Sequence, residues 1–443
     1  MFTYWPEMLN YPLFMNHGFI PYRDFSMVYT PLLPIALQTL FGLVGYDPQF
    51  LHYLGTILLS LIVGIVMLTI YYYSKNKLRS FVFGLFLGYI LLNFEGNQFW
   101  FDSLLPPLLL AIFLLEVSFA SKQRWWKIAS VGLISGIAIL IKQTAALSLL
   151  AFVPYLLLLR GKRRFNLQRV LTTFLWFGFP LVLVLSFFLV WLISKNILFD
   201  FLKWGIKFIL VIPQAKIIGV LPYLRLPSLR QSLAVGLFLL PPIIFALRKN
   251  TLPSLLLAAW IISTFLFAFP NFAYSRLESS LVFSFLTLGI VSTGKQLSRG
   301  PLLVTYLVSL FIVGTSIFMR HLRVDQPYYD DEIKQVALYI KQKYSGRSLY
   351  SFHGPDLVYA LTNQPPAFKP WLDQLSWQMA YAGEDNLRAL RSSPPEVVIY
   401  RPTPLETAPE KMMLKYFESS YKKVFQTSKG TEILEKIPRY QIK

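Results

Sequence analysis

Residues 132–152 read GLISGIAILIKQTAALSLLAF. A bilayer span needs about 20 consecutive apolar residues, and this run has that length and composition except for Lys142. A lysine at the centre of a spanning helix costs on the order of 2.5–3.5 kcal/mol. The run therefore reads as two spans, one ending at Ile141 and one beginning after Lys142, joined by a hairpin with Lys142 at its tip. Two readings of that lysine stay open: it snorkels to the interface, or it belongs to a site.

The rest of the chain supports a membrane reading. It has 443 residues, 55% of them hydrophobic and 16% aromatic, with a mean hydropathy of +0.51, more apolar than a soluble core needs. The formal net charge of +20 could suggest a nucleic-acid partner, but much of the excess sits in short loops between apolar segments. There it reports topology, and no nucleic-acid partner is expected. Cysteine is absent, which excludes disulfides and thiolate metal sites, and nothing at the start reads as a cleaved signal peptide.

Ten segments can span, near 50–73, 80–94, 103–119, 126–141, 144–160, 170–194, 231–247, 252–270, 278–294 and 300–319. Five of the intervening loops are basic and free of acids. They hold Lys75, Lys77 and Arg79; Lys122, Arg124 and Lys127; Arg160, Lys162, Arg163, Arg164 and Arg169; Arg248 and Lys249; and Lys295 and Arg299. The positive-inside rule makes these loops cytoplasmic. The other side then collects residues 1–49, the stretch from Glu95 to Asp102, Lys142, residues 195–230, the turn around Arg276 and everything after Met319. Segment 30–45 (TPLLPIALQTLFGLVG) is apolar too, but a span there would invert every later loop. It reads as an external helix on the membrane, with Pro31 and Pro34 at its start.

The expected architecture is a polytopic α-helical membrane protein of about ten transmembrane helices with external juxtamembrane helices. Residues 1–49 form an external loop, 50–319 the membrane core, and 320–443 a small extracytoplasmic α/β domain. In 195–230, Phe199, Leu202, Ile206 and Ile209 recur at helical spacing beside Asp200, Lys203 and Lys207, as in an interfacial amphipathic helix. In the last region, YYDDEIKQVALYIKQKY reads as a helix with acids in its first turn, and RSLYSFHG and EVVIYRP read as short strands.

Chemistry-bearing residues gather on the external side. In FEGNQFWFD (94–102), Glu95 and Asp102 join two apolar segments, and between Asp47 and Asp200 the only other acid is Glu116. A carboxylate at membrane depth is expensive, so the two read either as chemistry at that junction or as an acidic loop that sits in water. Glu7, Arg23, Asp24, Lys142 and Arg276 face the same side. Cations there can hold a phosphate or diphosphate leaving group, and a carboxylate can deprotonate a hydroxyl. No phosphate-binding glycine loop or serine-triad order occurs, and four histidines make a multi-histidine metal site improbable. No cofactor is expected.

These motifs resemble the C-type superfamily of glycosyltransferases, in particular the protein-mannosyltransferase and aminoarabinose-transferase branch. The run HGFIPYRDFSMVYTPLLPIALQTLFGLVG is similar to its first-loop signature at Gly18, Pro21, Tyr22, Asp24, Phe25, Phe41 and Gly42. Glu95 to Asp102 resembles the second-loop acidic motif, and Gly132 to Thr144 a G-x-x-x-G-x-A-x-L-x-K-Q-T run. FPNFAYSRLESSLVF resembles a later aromatic-rich turn, in which many relatives have His at the place of Arg276. The resemblance implies an inverting transferase of the cell membrane. It would move a mannose-like or other hexose or pentose from a polyprenyl-phosphate donor to a lipid, glycan or protein hydroxyl outside.

By that resemblance a first-loop carboxylate, Asp24 or Glu7, would be the general base, and Glu95 and Asp102 would orient the acceptor or support the base. Lys142, Arg276 and Arg23 would lie near the donor phosphate. The family's own first-loop acid falls at Thr3, Tyr4 and Trp5, so either the chain as written is truncated at its start or Glu7 or Asp24 takes that acid's place. Two alternatives remain: a flippase or transporter of polyprenyl-linked glycans, and a non-catalytic accessory subunit. The charges cluster at one membrane face and no internal repeat is evident, which favours chemistry over translocation.

Overall fold

The fold is described from a computed structural model over residues 6–93, 99–121, 124–152, 167–208, 239–268, 274–291, 329–372 and 376–438. Its first helices are α1 (Glu7–Asn16), α2 (Leu32–Val44), α3 (Pro48–Ser74), α4 (Lys77–Asn93), α5 (Leu105–Ser121) and α6 (Trp125–Ile141). After them come α7 (Leu167–Ser194), α8 (Leu252–Ala268), α9 (Tyr274–Val291), α10 (Asp331–Lys343), α11 (Ser376–Ser392) and α12 (Ala408–Ser420). The strands are β1 (Leu349–Phe352), β2 (Val397–Tyr400), β3 (Tyr421–Gln426) and β4 (Glu432–Lys436). The chain divides into two compact units. The first comprises Met1–Leu51, Leu192–Lys216 and Gln326–Lys443, and the second His52–Trp191 and Ile217–Asp325.

The second unit is helical. Helix α3 and the stretch Val170–Ser194 of α7 are each long and apolar enough to cross a bilayer, and Leu105–Ala120, Trp125–Ile141, Leu252–Phe265 and Glu278–Val291 are shorter apolar helices. Segment 300–319, expected to span, lies outside the described residues, as do residues 153–160 of the segment 144–160. What is described there differs from the expected α-helix: Gln143–Ala151 forms a tighter 3-10 helix directly after Lys142. Helix α7 leaves Phe174, Leu175, Phe179, Val182, Phe187 and Val190 more than half exposed, an apolar face that lipid would cover.

Glycines set one close approach in this unit. A Cβ on Gly132 would lie 2.0 Å from the carbonyl oxygen of Phe177 on α7, and one on Gly136 would lie 2.9 Å from Val184. Small residues four apart let membrane helices touch backbone to backbone. The Phe177 carbonyl belongs to a helix and cannot swing aside as a side-chain tip could. Gly132→Ala is therefore expected to lower stability by about 1–3 kcal/mol, the usual cost of overpacking. Gly64, with open space around it, supplies the control. Thermal unfolding in detergent checks this, and equal midpoints for Gly132→Ala and Gly64→Ala would mean that α6 and α7 are loosely packed.

Side-chain bonds close the hairpins at the basic ends. Lys127 donates to the Ser118 carbonyl (3.0 Å) and hydroxyl (2.5 Å), and Ser80 donates to the Met67 carbonyl at 2.5 Å. In the apolar core, the indole of Trp260 donates to Glu116 at 2.9 Å and stacks on Phe283 at 5.2 Å.

The first unit holds the sheet, in the order β1-β2-β4-β3, with β1 and β2 parallel and β4 antiparallel to both of its neighbours. Strands β1 and β2 are buried at every residue, which the unbroken apolar run VVIY requires. Helix α10 starts where Asp330 accepts from the Ile333 amide, carries Asp331 and Glu332 in its first turn, and buries Ile333, Val336, Ala337 and Ile340. Helix α12 begins with a capping box between Thr407 and Glu410.

The N-terminal residues pack in this same unit. Phe14 meets Phe25, Tyr359 and Trp371 with ring centroids 5.1–5.7 Å apart. Backbone bonds run from the Ser26 amide to the Trp371 carbonyl and from the Trp371 amide to the Asp24 carbonyl, each 2.9 Å. Asn10 donates to the Asp356 carbonyl at 2.9 Å, and Ser26 to Gln378 at 2.6 Å.

Candidate active site

Lys142 ends α6 in an extended conformation (φ −150°, ψ 115°), its amide still bonded to the Ala138 carbonyl and its carbonyl accepting from Ala145. That break turns the side chain inward. Only 2% of it is exposed, so it does not snorkel. Its ammonium lies 2.5 Å from Oδ1 of Asp102, whose side chain is 3% exposed. Asp102 sits just ahead of α5, with its carbonyl accepting from the Leu105 amide. The positive end of a helix dipole favours a carboxylate there. Two motifs 40 residues apart thus form one buried ion pair in the second unit.

Polar groups flank the pair. The hydroxyls of Ser103 and Thr144 are buried and have no hydrogen-bond partner among the described residues. Native structures seldom leave such groups unsatisfied unless a water or ligand serves them. A cleft of about 860 Å³ lined by Thr69, Tyr72, Lys75, Leu115 and Ser118 lies at the opposite end of α5, away from Asp102, and contributes nothing to this site. Among the described residues no three His, Asp or Glu side chains converge as metal ligands would.

In the first unit, Asp24 is held from several sides. Its Oδ2 accepts from the Ile20 amide at 2.9 Å and from Lys369 at 2.9 Å, and Oδ1 faces Arg23 at 3.5 Å. A carboxylate so engaged fixes the loop around it. Arg23 is 44% exposed at its side chain. Glu7 opens α1 in the first turn, with Oε2 buried. Glu95 lies outside the described residues. Arg276 is a residue of the first turn of α9, not of a turn between helices, and its side chain lies outside the described residues. Sequence reasoning missed Lys369 and Trp371, which hold the Asp24 loop from about 345 residues away. Nothing in the run PAFKPW signals that contact.

No known family pattern and no curated protein sequence matches the chain. Solved structures do. ArnT from Cupriavidus metallidurans in the apo state is 15% identical, with a TM-score of 0.59, over 98% of this chain and 93% of that chain. The same protein bound to undecaprenyl phosphate is 13% identical, with a TM-score of 0.58 and the same coverage. The chain therefore has the helical fold of ArnT.

Proposed function

We propose that this chain is a membrane glycosyltransferase that moves a hexose or pentose from a polyprenyl-phosphate donor to a hydroxyl acceptor on the extracytoplasmic face, with inversion. The observation that carries the reading is the buried pair of Lys142 and Asp102. When the bond between the anomeric carbon and the phosphate oxygen breaks, negative charge grows on the leaving phosphate. A desolvated, pre-positioned ammonium stabilises that charge far better than one in water. In this reading Lys142 meets the phosphate and Asp102 holds Lys142 in place. Arg276 is a further cation for the donor, and Glu95 a carboxylate for the acceptor. Asp24 acts as a positioning residue through Lys369 and the Trp371 backbone.

The ArnT structure that holds undecaprenyl phosphate supports the choice of donor. The acid-free basic loops support a multi-pass location in the cell membrane with residues 320–443 outside. The test is ligand stabilisation in detergent. A ligand at about 100 times its Kd adds ~2.7 kcal/mol to stability. Undecaprenyl phosphate is expected to raise the thermal midpoint, and undecaprenol, lacking the phosphate, to leave it unchanged. Equal shifts with both lipids, or none with either, count against the donor assignment.

A further inference from the structure

One end of the second unit carries cations with no acid to neutralise them. Between Asp47 and Asp200 the sequence holds only Glu95, Asp102 and Glu116 as acids. Asp102 pairs with Lys142, and Glu116 accepts from Trp260, so both are engaged elsewhere. Lys127 is 7% exposed, although it stands in the first turn of α6, where the helix dipole disfavours a cation. Its ammonium donates to the carbonyl and hydroxyl of Ser118, both uncharged. A buried charge is costly until a counter-charge joins it.

Lys75 follows the last residue of α3 with φ 55°, a left-handed conformation that glycine usually fills at a helix end. Its ammonium sits over the Tyr72 ring, 4.6 Å from the centroid. Among the described residues neither Lys75 nor Lys127 has a carboxylate partner.

These groups meet at a cleft. Lys75 and Ser118, the residue that Lys127 grips, both line the space of about 860 Å³ between α3 and α5. Its apolar walls include Leu68 from α3 and Leu114 and Leu115 from α5. At 1.5 Å per residue, Leu68 lies about 10 Å further along the axis than Lys75. The cleft is thus charged at the helix ends and apolar deeper in. Leu68 is 71% exposed and Tyr72 66%, so it opens onto the surface that lipid would cover. Tyrosine favours the level of lipid head groups.

We infer that this cleft binds one anionic glycerophospholipid. Its phosphate meets Lys75 beside the corner of Ser118 and Lys127, and an acyl chain runs along Leu68, Leu114 and Leu115. Charge selects this occupant, since a zwitterionic lipid brings no net charge to an acid-free basic corner. It comes from the leaflet that the basic loops face, and the positive-inside reading makes that the cytoplasmic one. The inference needs no glycosyl transfer and does not involve the pair of Lys142 and Asp102.

The test titrates purified full-length protein in detergent with phosphatidylglycerol or phosphatidylcholine and counts bound lipids by native mass spectrometry. Phosphatidylglycerol is expected to fill one site about 10-fold or more tightly than phosphatidylcholine. Lys75→Gln removes a charge-assisted bond and should weaken phosphatidylglycerol binding about 10- to 100-fold. Lys75 is exposed and makes no ion pair among the described residues, so the thermal midpoint without lipid should stay near wild type. Lys77→Gln, at an exposed lysine outside the cleft, should change affinity less than about 3-fold. Leu115→Trp keeps every charge, fills the apolar wall and should abolish the tight site.

Equal affinity for the two lipids, or equal losses from Lys75→Gln and Lys77→Gln, would mean diffuse attraction to a basic surface and overturn the assignment. Tight binding retained by Leu115→Trp would overturn it as well. Undecaprenyl phosphate displacing phosphatidylglycerol at equal concentration would give the cleft to a polyprenyl phosphate instead.

Discussion

Lys142→Met is expected to destabilise the protein by about 3–5 kcal/mol, because it strands the Asp102 carboxylate without its partner in a buried site. Asp102→Asn strands the ammonium in the same way and is expected to cost a similar amount. The double variant Asp102→Asn with Lys142→Met removes both charges, and replacing a buried pair as a whole is often close to neutral. Its thermal midpoint should therefore return most of the way to wild type. That non-additivity is the signature of direct coupling. Simple addition of the two single losses would show that the residues do not depend on each other. Stability and activity separate in the double variant, which should fold and yet lack the cation that the proposed leaving group needs.

Trp371→Ala is expected to cost about 3–5 kcal/mol, the range for emptying a large buried aromatic site. Trp371 is fully buried, packs edge-on against Phe14 and Tyr359, and exchanges backbone bonds with Asp24 and Ser26. Its loss leaves a cavity under the Asp24 loop, so limited proteolysis between Gly18 and Thr30 should accelerate along with the fall in thermal midpoint. Lys369→Ala provides the contrast. That side chain is 43% exposed, and such partly solvated ion pairs contribute about 1 kcal/mol or less. A Trp371→Ala protein as stable as Lys369→Ala would mean that the loop is held by something other than this aromatic cluster.

Local features of the fold were legible, and long-range ones were not. Lys142 broke an apolar run, and α6 does end at Ile141. The acids of YYDDEIKQVALYIKQKY mark the start of α10, and the runs RSLYSFHG and EVVIYRP fall on β1 and β2. Each of those signals lies within a few residues of its effect. The insertion of β4 between β2 and β3 was not foreseeable, since EILEK carries no local mark of its partners. Hydropathy reports burial but not what does the burying. The apolar residues of α1 could have faced lipid, yet Phe14 packs against Tyr359 and Trp371. Nor does hydropathy report residues per turn, so the 3-10 form of Gln143–Ala151 left no trace.

The candidate site shows the same division. Asp102 and Lys142 could each be singled out as a charge in an apolar setting, but their mutual 2.5 Å contact needed the folded hairpin of α5 and α6. Asp24 was visible as a first-loop acid, whereas its neutralisation by Lys369 depends on a contact across most of the chain.

The central claim is sugar transfer from a polyprenyl phosphate at the Lys142 and Asp102 pair. The most direct measurement incubates full-length protein in native membranes with undecaprenyl phosphate carrying labelled sugars, and follows released undecaprenyl phosphate against labelled product. The account predicts equal molar release and transfer, inverted configuration at the anomeric carbon, and no turnover by the folded Asp102→Asn, Lys142→Met double variant. Absence of transfer by the wild type, or undiminished transfer by the double variant, would contradict it.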